Sequence, residues 1–204
     1  MIGFYNYTVI VSYLGVAASV LGIGFAMTGR LTYAVACLMF SGLCDAFDGP
    51  IARTKGDRTD AEKRFGIQLD SLQDIVCFGV LPAAIGFGIG MRGPGQTFLL
   101  MIYVLAGLAR LAYFNVTEEL RQDQTDERRA EYAGLPITSA ALVIPLIYGF
   151  NKFLTDRELI LVYSAALICL SLAFLARIHF KKPHGWGVLM LVLAGMLEFV
   201  WVLL

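Results

Sequence analysis

The stretch Cys44 to Asp74 reads CDAFDGPIARTKGDRTDAEKRFGIQLDSLQD, and four of its six aspartates, Asp45, Asp48, Asp70 and Asp74, lie at helical spacing against the apolar runs on either side. Asp45 and Asp48 are three residues apart near the end of one run, and Asp70 and Asp74 are four apart at the start of the next. Either spacing sets both carboxylates on one face of a helix. Two successive antiparallel helices therefore bring all four together at one depth. Ionised side chains within a membrane span are costly and persist where they are paired or functional, so this cluster is the first candidate for chemistry.

The surroundings are those of a membrane protein. Of 204 residues, 58% are hydrophobic and 16% charged, with sixteen basic residues balancing sixteen acidic ones. Soluble domains are about a quarter charged, so an ordinary soluble enzyme is excluded. A net charge of zero also gives no basic face for a nucleic acid. A bilayer core about 30 Å thick is crossed by roughly 20 apolar helical residues. The pattern predicts such runs at 8–28, 31–52, 67–90, 96–116, 136–152, 157–178 and 185–203. The expected fold is all-α: a polytopic integral membrane bundle of six to seven transmembrane helices, forming a single domain over 1–204. The fifth run is the shortest, opened by Pro136 and carrying Pro145. No Lys or Arg precedes Arg30 and no cleavage site stands out, so the first run reads as a retained helix.

Cys37, Cys44, Cys77 and Cys169 lie singly in apolar runs, without the spacing of a zinc site or a disulfide framework. Eleven of the sixteen Lys and Arg fall on one side of the predicted bundle: Arg53, Lys55, Arg58, Lys63, Arg64, Arg121, Arg128, Arg129, Arg177, Lys181 and Lys182. By the positive-inside rule that side is cytoplasmic. The aspartates then open toward the cytoplasm, and the expected location is the cell membrane of a prokaryote.

A cluster of hard oxygen ligands suits Mg2+, Mn2+ or Ca2+, and two divalent ions would balance four carboxylates in charge. That arrangement fits two-metal phosphoryl transfer. Gly49, Ala52 and Gly66 leave space for a bulky ligand or a close helix. Arg53, just past Asp48, is suited to hold a phosphate at the interface.

These residues form D-x-x-D-G-x-x-A-R followed by G-x-x-x-D-x-x-x-D, a pattern that resembles the CDP-alcohol phosphotransferase family. Asp45, Asp48, Gly49, Ala52, Arg53, Gly66, Asp70 and Asp74 fill all its fixed positions. The spacer Thr54 to Phe65 is longer than the family's usual one. The resemblance implies transfer of a substituted phosphate from a CDP-linked donor to an alcohol, with release of CMP and two divalent cations, Mg2+ or Mn2+, as cofactors. It implies Asp45, Asp48, Asp70 and Asp74 as metal ligands, Asp74 also as catalytic base, and Asp48, Gly49, Ala52 and Arg53 as contacts to the CDP donor. Thr8 is similar to a family threonine near the nucleotide, without the Pro-Asn that customarily precedes it. A homodimer is also implied.

FGVLPA at 78–83, ARLAYFNV at 109–116, YAGLP at 132–136 and RIHFKK at 177–182 resemble the phosphatidylserine synthase branch of that family. The implied substrates are CDP-diacylglycerol and L-serine. Arg110, a cation within the fourth run, is the candidate for the acceptor carboxylate, with Asn115 as a polar helper. The alternatives are another acceptor on the same machinery, namely glycerol 3-phosphate, inositol or inositol phosphate, or a small cation carrier. An acceptor bearing a phosphate would call for more basic residues inside the spans. A carrier would not require Gly, Ala and Arg at fixed offsets from the carboxylates.

Overall fold

A computed structural model describes residues 3–4, 6–57, 59–122, 131–177, 179–181 and 195–202. A short 3-10 turn, Tyr7–Val9, leads into α1 (Ile10–Met27) and α2 (Leu31–Ala52). Then come α3 (Asp60–Asp74), a π-helical turn over Ile75–Val80, α4 (Leu81–Ile89), α5 (Pro94–Gln122), α6 (Ala140–Gly149) and α7 (Asp156–Leu175). A further helix, α8, covers 195–202. The three-residue strands β1 (Glu131–Ala133) and β2 (His179–Lys181) pair antiparallel, with Tyr132 opposite Phe180.

Among the described residues, five helical spans are long and apolar enough to cross a membrane: Tyr7–Met27, Leu31–Ala52, Asp60–Ile89, Pro94–Leu120 and Asp156–Leu175. Ile137–Lys152 is a shorter apolar helix. Six of the seven expected runs are thus helical. The seventh lies largely outside the described residues, where α8 covers only its end. Large apolar side chains such as Leu21, Met27, Leu105, Leu161 and Leu172 point outward, as lipid-facing residues do.

The third helix starts at Asp60 rather than at 67, and the cause is local. Thr59 and Glu62 form a reciprocal capping box: the Glu62 N–H donates to the Thr59 hydroxyl, and the Thr59 N–H donates to the Glu62 carboxylate at 2.8 Å. These bonds satisfy amides that the first turn would otherwise leave unpaired. Thr155 and Glu158 start α7 in the same way.

Helices α1 and α2 pack along a seam of small residues. A Cβ on Gly22 would lie 2.9 Å from the Cys37 Cβ, and one on Gly15 would lie 3.3 Å from the Cys44 Cβ. Between them the Ser19 and Ser41 hydroxyls are 2.8 Å apart, and Ser41 also donates to the Gly15 carbonyl. In lipid, where apolar contact alone gives little drive, such close approach and interhelical bonding hold helices together. The seam fixes the first turns of α1 against the aspartate-bearing end of α2.

The span formed by α3, the π turn and α4 is the most enclosed, with 56% of its apolar window buried against 28–33% for the other four. At the π turn the Leu81 N–H reaches the Val76 carbonyl, five residues back. Pro82 has no N–H to offer the Phe78 carbonyl one turn earlier. The Tyr103 hydroxyl of α5 donates to that oxygen at 2.6 Å, and the Tyr163 hydroxyl of α7 donates to the Pro82 carbonyl at 2.7 Å. Two neighbouring helices thus supply bonds at the irregular backbone, the condition under which such backbone is tolerated in lipid.

Candidate active site

The carboxylates meet where the end of α2 faces the end of α3. One oxygen from each of Asp45, Asp70 and Asp74 lies within 4.8 Å of the other two. Asp48 joins this group through Asp70, whose side chain is within its reach. On the α1 side, the Ser12 hydroxyl donates to Asp48 Oδ2 at 3.4 Å. Asp74 is buried, and its Oδ1 has no hydrogen-bond partner among the described residues. Carboxylates this close repel one another unless protonated or neutralised by cations. Their chemistry fits an oxygen-preferring divalent ion, and the unpartnered Asp74 oxygen is an open ligand position.

At the mouth, Arg53 is exposed and its guanidinium lies over Gly49, where an added Cβ would be 3.5 Å from Nη1. Glycine at this position keeps the backbone beside the arginine accessible to a ligand. Ala52, half-buried, sits between them in the last turn of α2. Thr8 is buried in the turn before α1, and both its backbone N–H and its hydroxyl donate to the Asn6 side-chain oxygen. Asn6, two residues ahead of Thr8, supplies the local cap in the absence of the customary Pro-Asn.

The same Asn6 reaches the long loop between α2 and α3. Its Nδ2 donates to Glu62 Oε1 at 3.2 Å, and Lys55 Nζ donates to the same oxygen at 2.7 Å. Tyr7 and Thr54 join hydroxyls at 2.8 Å, and the Phe4 and Phe65 rings meet edge to face at 5.5 Å. The Glu62 carboxylate holds the Lys55 ammonium above its ordinary range. The lengthened loop is therefore tied to the amino-terminal turn on one side and to the first turn of α3 on the other.

Arg110, buried on α5, is near enough to Asp45 and Asp74 for its charge to act on both, and its guanidinium lies 5.8 Å from the Phe114 ring centroid. Asn115 sits elsewhere, on the seam between α5 and α3. Its side-chain oxygen accepts from the Ser71 hydroxyl at 2.7 Å and its Nδ2 donates to Gln68 at 3.2 Å. The structure thus brings Arg110 to the carboxylates and gives Asn115 a role in joining helices. Sequence reasoning passed over Ser12 and Gln73. Ser12, in the first turn of α1, follows Thr8 by four residues, a spacing that signals a shared face; Gln73 lies inside the second aspartate motif, where it reads as a spacer.

A sequence model described as CDP-alcohol phosphatidyltransferase matches residues 5–177. The chain is 40% identical over 133 residues to a CDP-diacylglycerol–serine O-phosphatidyltransferase of Saccharomyces cerevisiae, a match covering 63% of this chain and 47% of the yeast protein. The chain therefore spans less than half of that relative's length. It is 29% identical over 181 residues to an archaetidylserine synthase of Methanothermobacter thermautotrophicus, covering 87% of this chain and 70% of the relative. Similarity to a CDP-diacylglycerol–serine O-phosphatidyltransferase of Helicobacter pylori is 28% over 184 residues, covering 85% of this chain and 71% of the relative.

Proposed function

The chain belongs to the CDP-alcohol phosphatidyltransferase family, and on that premise we propose that it transfers a phosphatidyl group from CDP-diacylglycerol to the hydroxyl of L-serine, giving phosphatidylserine and CMP. The observation that carries this reading is the convergence of aspartates from α2 and α3 beside a buried arginine, within an apolar bundle. The names of the three relatives support serine as acceptor.

Asp45, Asp48, Asp70 and Asp74 are the residues that would hold two divalent cations, Mg2+ or Mn2+. Bound there, such ions would neutralise the donor diphosphate and stabilise the departing CMP. Arg53, with Gly49 and Ala52 beside it and Thr8 across from it, would hold the cytidine diphosphate by charge-assisted bonds. Asp74 lies four residues beyond Asp70, about 6 Å deeper along the helix, on the side of the lipid-linked phosphate. It would accept the proton of the serine hydroxyl as the oxygen attacks phosphorus and the bond to CMP breaks. Arg110 would fix the serine carboxylate, and Asn115 would act through the α3–α5 seam. The acyl chains would remain in the bilayer.

The distribution of Lys and Arg supports a cytoplasmic mouth. Similarity to a yeast protein extends the expected host beyond prokaryotes. A homodimer is proposed on the family resemblance alone, and light scattering of the solubilised protein tests it.

The deciding experiment is CMP release by detergent-solubilised protein given CDP-diacylglycerol and Mn2+ or Mg2+, with serine, glycerol 3-phosphate, inositol or inositol phosphate added one at a time. Stimulation by serine alone is expected. Stimulation by another alcohol keeps the chemistry and replaces the acceptor; no CMP with any of them overturns the transferase reading in favour of a cation carrier.

A further inference from the structure

Gln73 takes no part in the chemistry described above, yet it is 2% exposed, and among the described residues neither Nε2 nor Oε1 has a partner at hydrogen-bond distance. A buried amide left unpaired costs free energy, and a position serving only packing would be filled better by an apolar side chain. Its surroundings are polar in a specific way. At about 100° per residue, Gln73 falls about 60° from Asp70 on the side opposite Asp74. Asp48 is the carboxylate within its influence on that side. Nε2 lies 3.8 Å from where a Cβ on Gly15 would stand, so the bare backbone of α1 leaves the amide its room. Ser12 of α1 already donates to Asp48. Asp48 is thus flanked by a hydroxyl from α1 and an amide from α3, whereas Asp45 groups with Asp70 and Asp74.

We infer that Gln73 is a positioning residue for Asp48: its Nε2–H donates to the Asp48 carboxylate when cations occupy the cleft, fixes that carboxylate toward them and raises their affinity. Hydrogen bonds to ligating carboxylates orient them in this way, and removing one costs about 10- to 100-fold in metal affinity. The inference rests on the cation reading above and adds a residue that the aspartate pattern does not contain.

The test uses the purified full chain in lipid nanodiscs, with Mn2+ alone as probe, free Mn2+ measured by electron paramagnetic resonance and Tm recorded without metal. Gln73→Met keeps length and bulk and removes the amide. Its Mn2+ Kd is expected to rise about tenfold while the metal-free Tm does not fall, because an unpaired amide has been replaced by an apolar group. Ser12→Ala should also weaken Mn2+, and the double variant should lose less than the product of the two, since both act through Asp48. If Gln73→Met does not fold, Gln73→Asn, which keeps the amide but draws it back by one methylene, is read by its Mn2+ Kd alone, with the same tenfold rise expected and parent-like affinity overturning the inference. Parent-like Mn2+ affinity in the variant, or weaker binding accompanied by a lower metal-free Tm, overturns the inference. Absence of Mn2+ binding by the parent overturns the cation reading itself.

Discussion

The hydroxyl of Tyr103 on α5 donates to the backbone carbonyl of Phe78 at 2.6 Å, inside the bundle and one turn beyond Asp74. That carbonyl precedes Pro82 by four residues, so the bond replaces one that proline cannot make. Tyr103→Phe leaves the oxygen unpaired in a dry interior and should destabilise the protein by about 1–3 kcal/mol. Thermal unfolding in detergent measures the loss, and an unchanged Tm would remove Tyr103 as the support of the π turn.

Asp74→Asn keeps the shape of the proposed base and removes its capacity to take a proton. Turnover should fall by about 100-fold or more, with CDP-diacylglycerol binding largely retained. Initial rates of CMP release, set beside equilibrium binding of the donor, separate the two effects. Substantial residual turnover would shift the base role to another carboxylate.

Arg110→Ala removes the cation facing Asp45 and Asp74. A charged contact to the acceptor carboxylate is worth about 1.5–3 kcal/mol, so the KM for serine should rise roughly 10- to 100-fold. The KM for CDP-diacylglycerol should change far less. Equal rises for both substrates would mean that Arg110 serves the carboxylates and not the acceptor.

Glu62 joins Asn6, Lys55 and Thr59, and so holds the amino-terminal turn bearing Thr8 against the loop that follows Arg53. Glu62→Ala should loosen both proposed donor contacts and raise the KM for CDP-diacylglycerol about fivefold. Glu62→Gln, which still completes a capping box, should cost less. The salt dependence of the difference reports the Lys55 pair, because exposed ion pairs weaken as ionic strength rises.

Much of this architecture is legible in the residues themselves. The run at 31–52 coincides with α2 because its apolar length and the polar Arg53 beyond it set both ends. Asp45, Asp70 and Asp74 converge because spacings of three and four residues are a property of the helix, independent of what surrounds it. The early start of α3 was also written in the sequence, since Thr59 and Glu62 form the T-x-x-E signature of a capping box, which a hydropathy pattern ignores. Other features depend on partners distant in the chain. Ile75–Val80 has the composition of an ordinary apolar helix, and its wide turn comes with bonds from Tyr103 and Tyr163. The tie from Asn6 to Glu62 spans 56 residues. Gln73 could be recognised only after α1 and α2 were seen beside it.

The π turn also acts as a phase shifter. It inserts one residue into the winding of a single continuous helix, so the segment beyond it is turned by about 100° relative to a regular α-helix. The α3 half is therefore free to aim its carboxylates at those of α2, while the turn and the α4 half present Cys77, Phe78, Leu81 and Ile85 to the core. Neither half has to compromise its facing for the other. Removing one residue from 75–80 would make the helix more regular and set its two halves out of register with their separate partners.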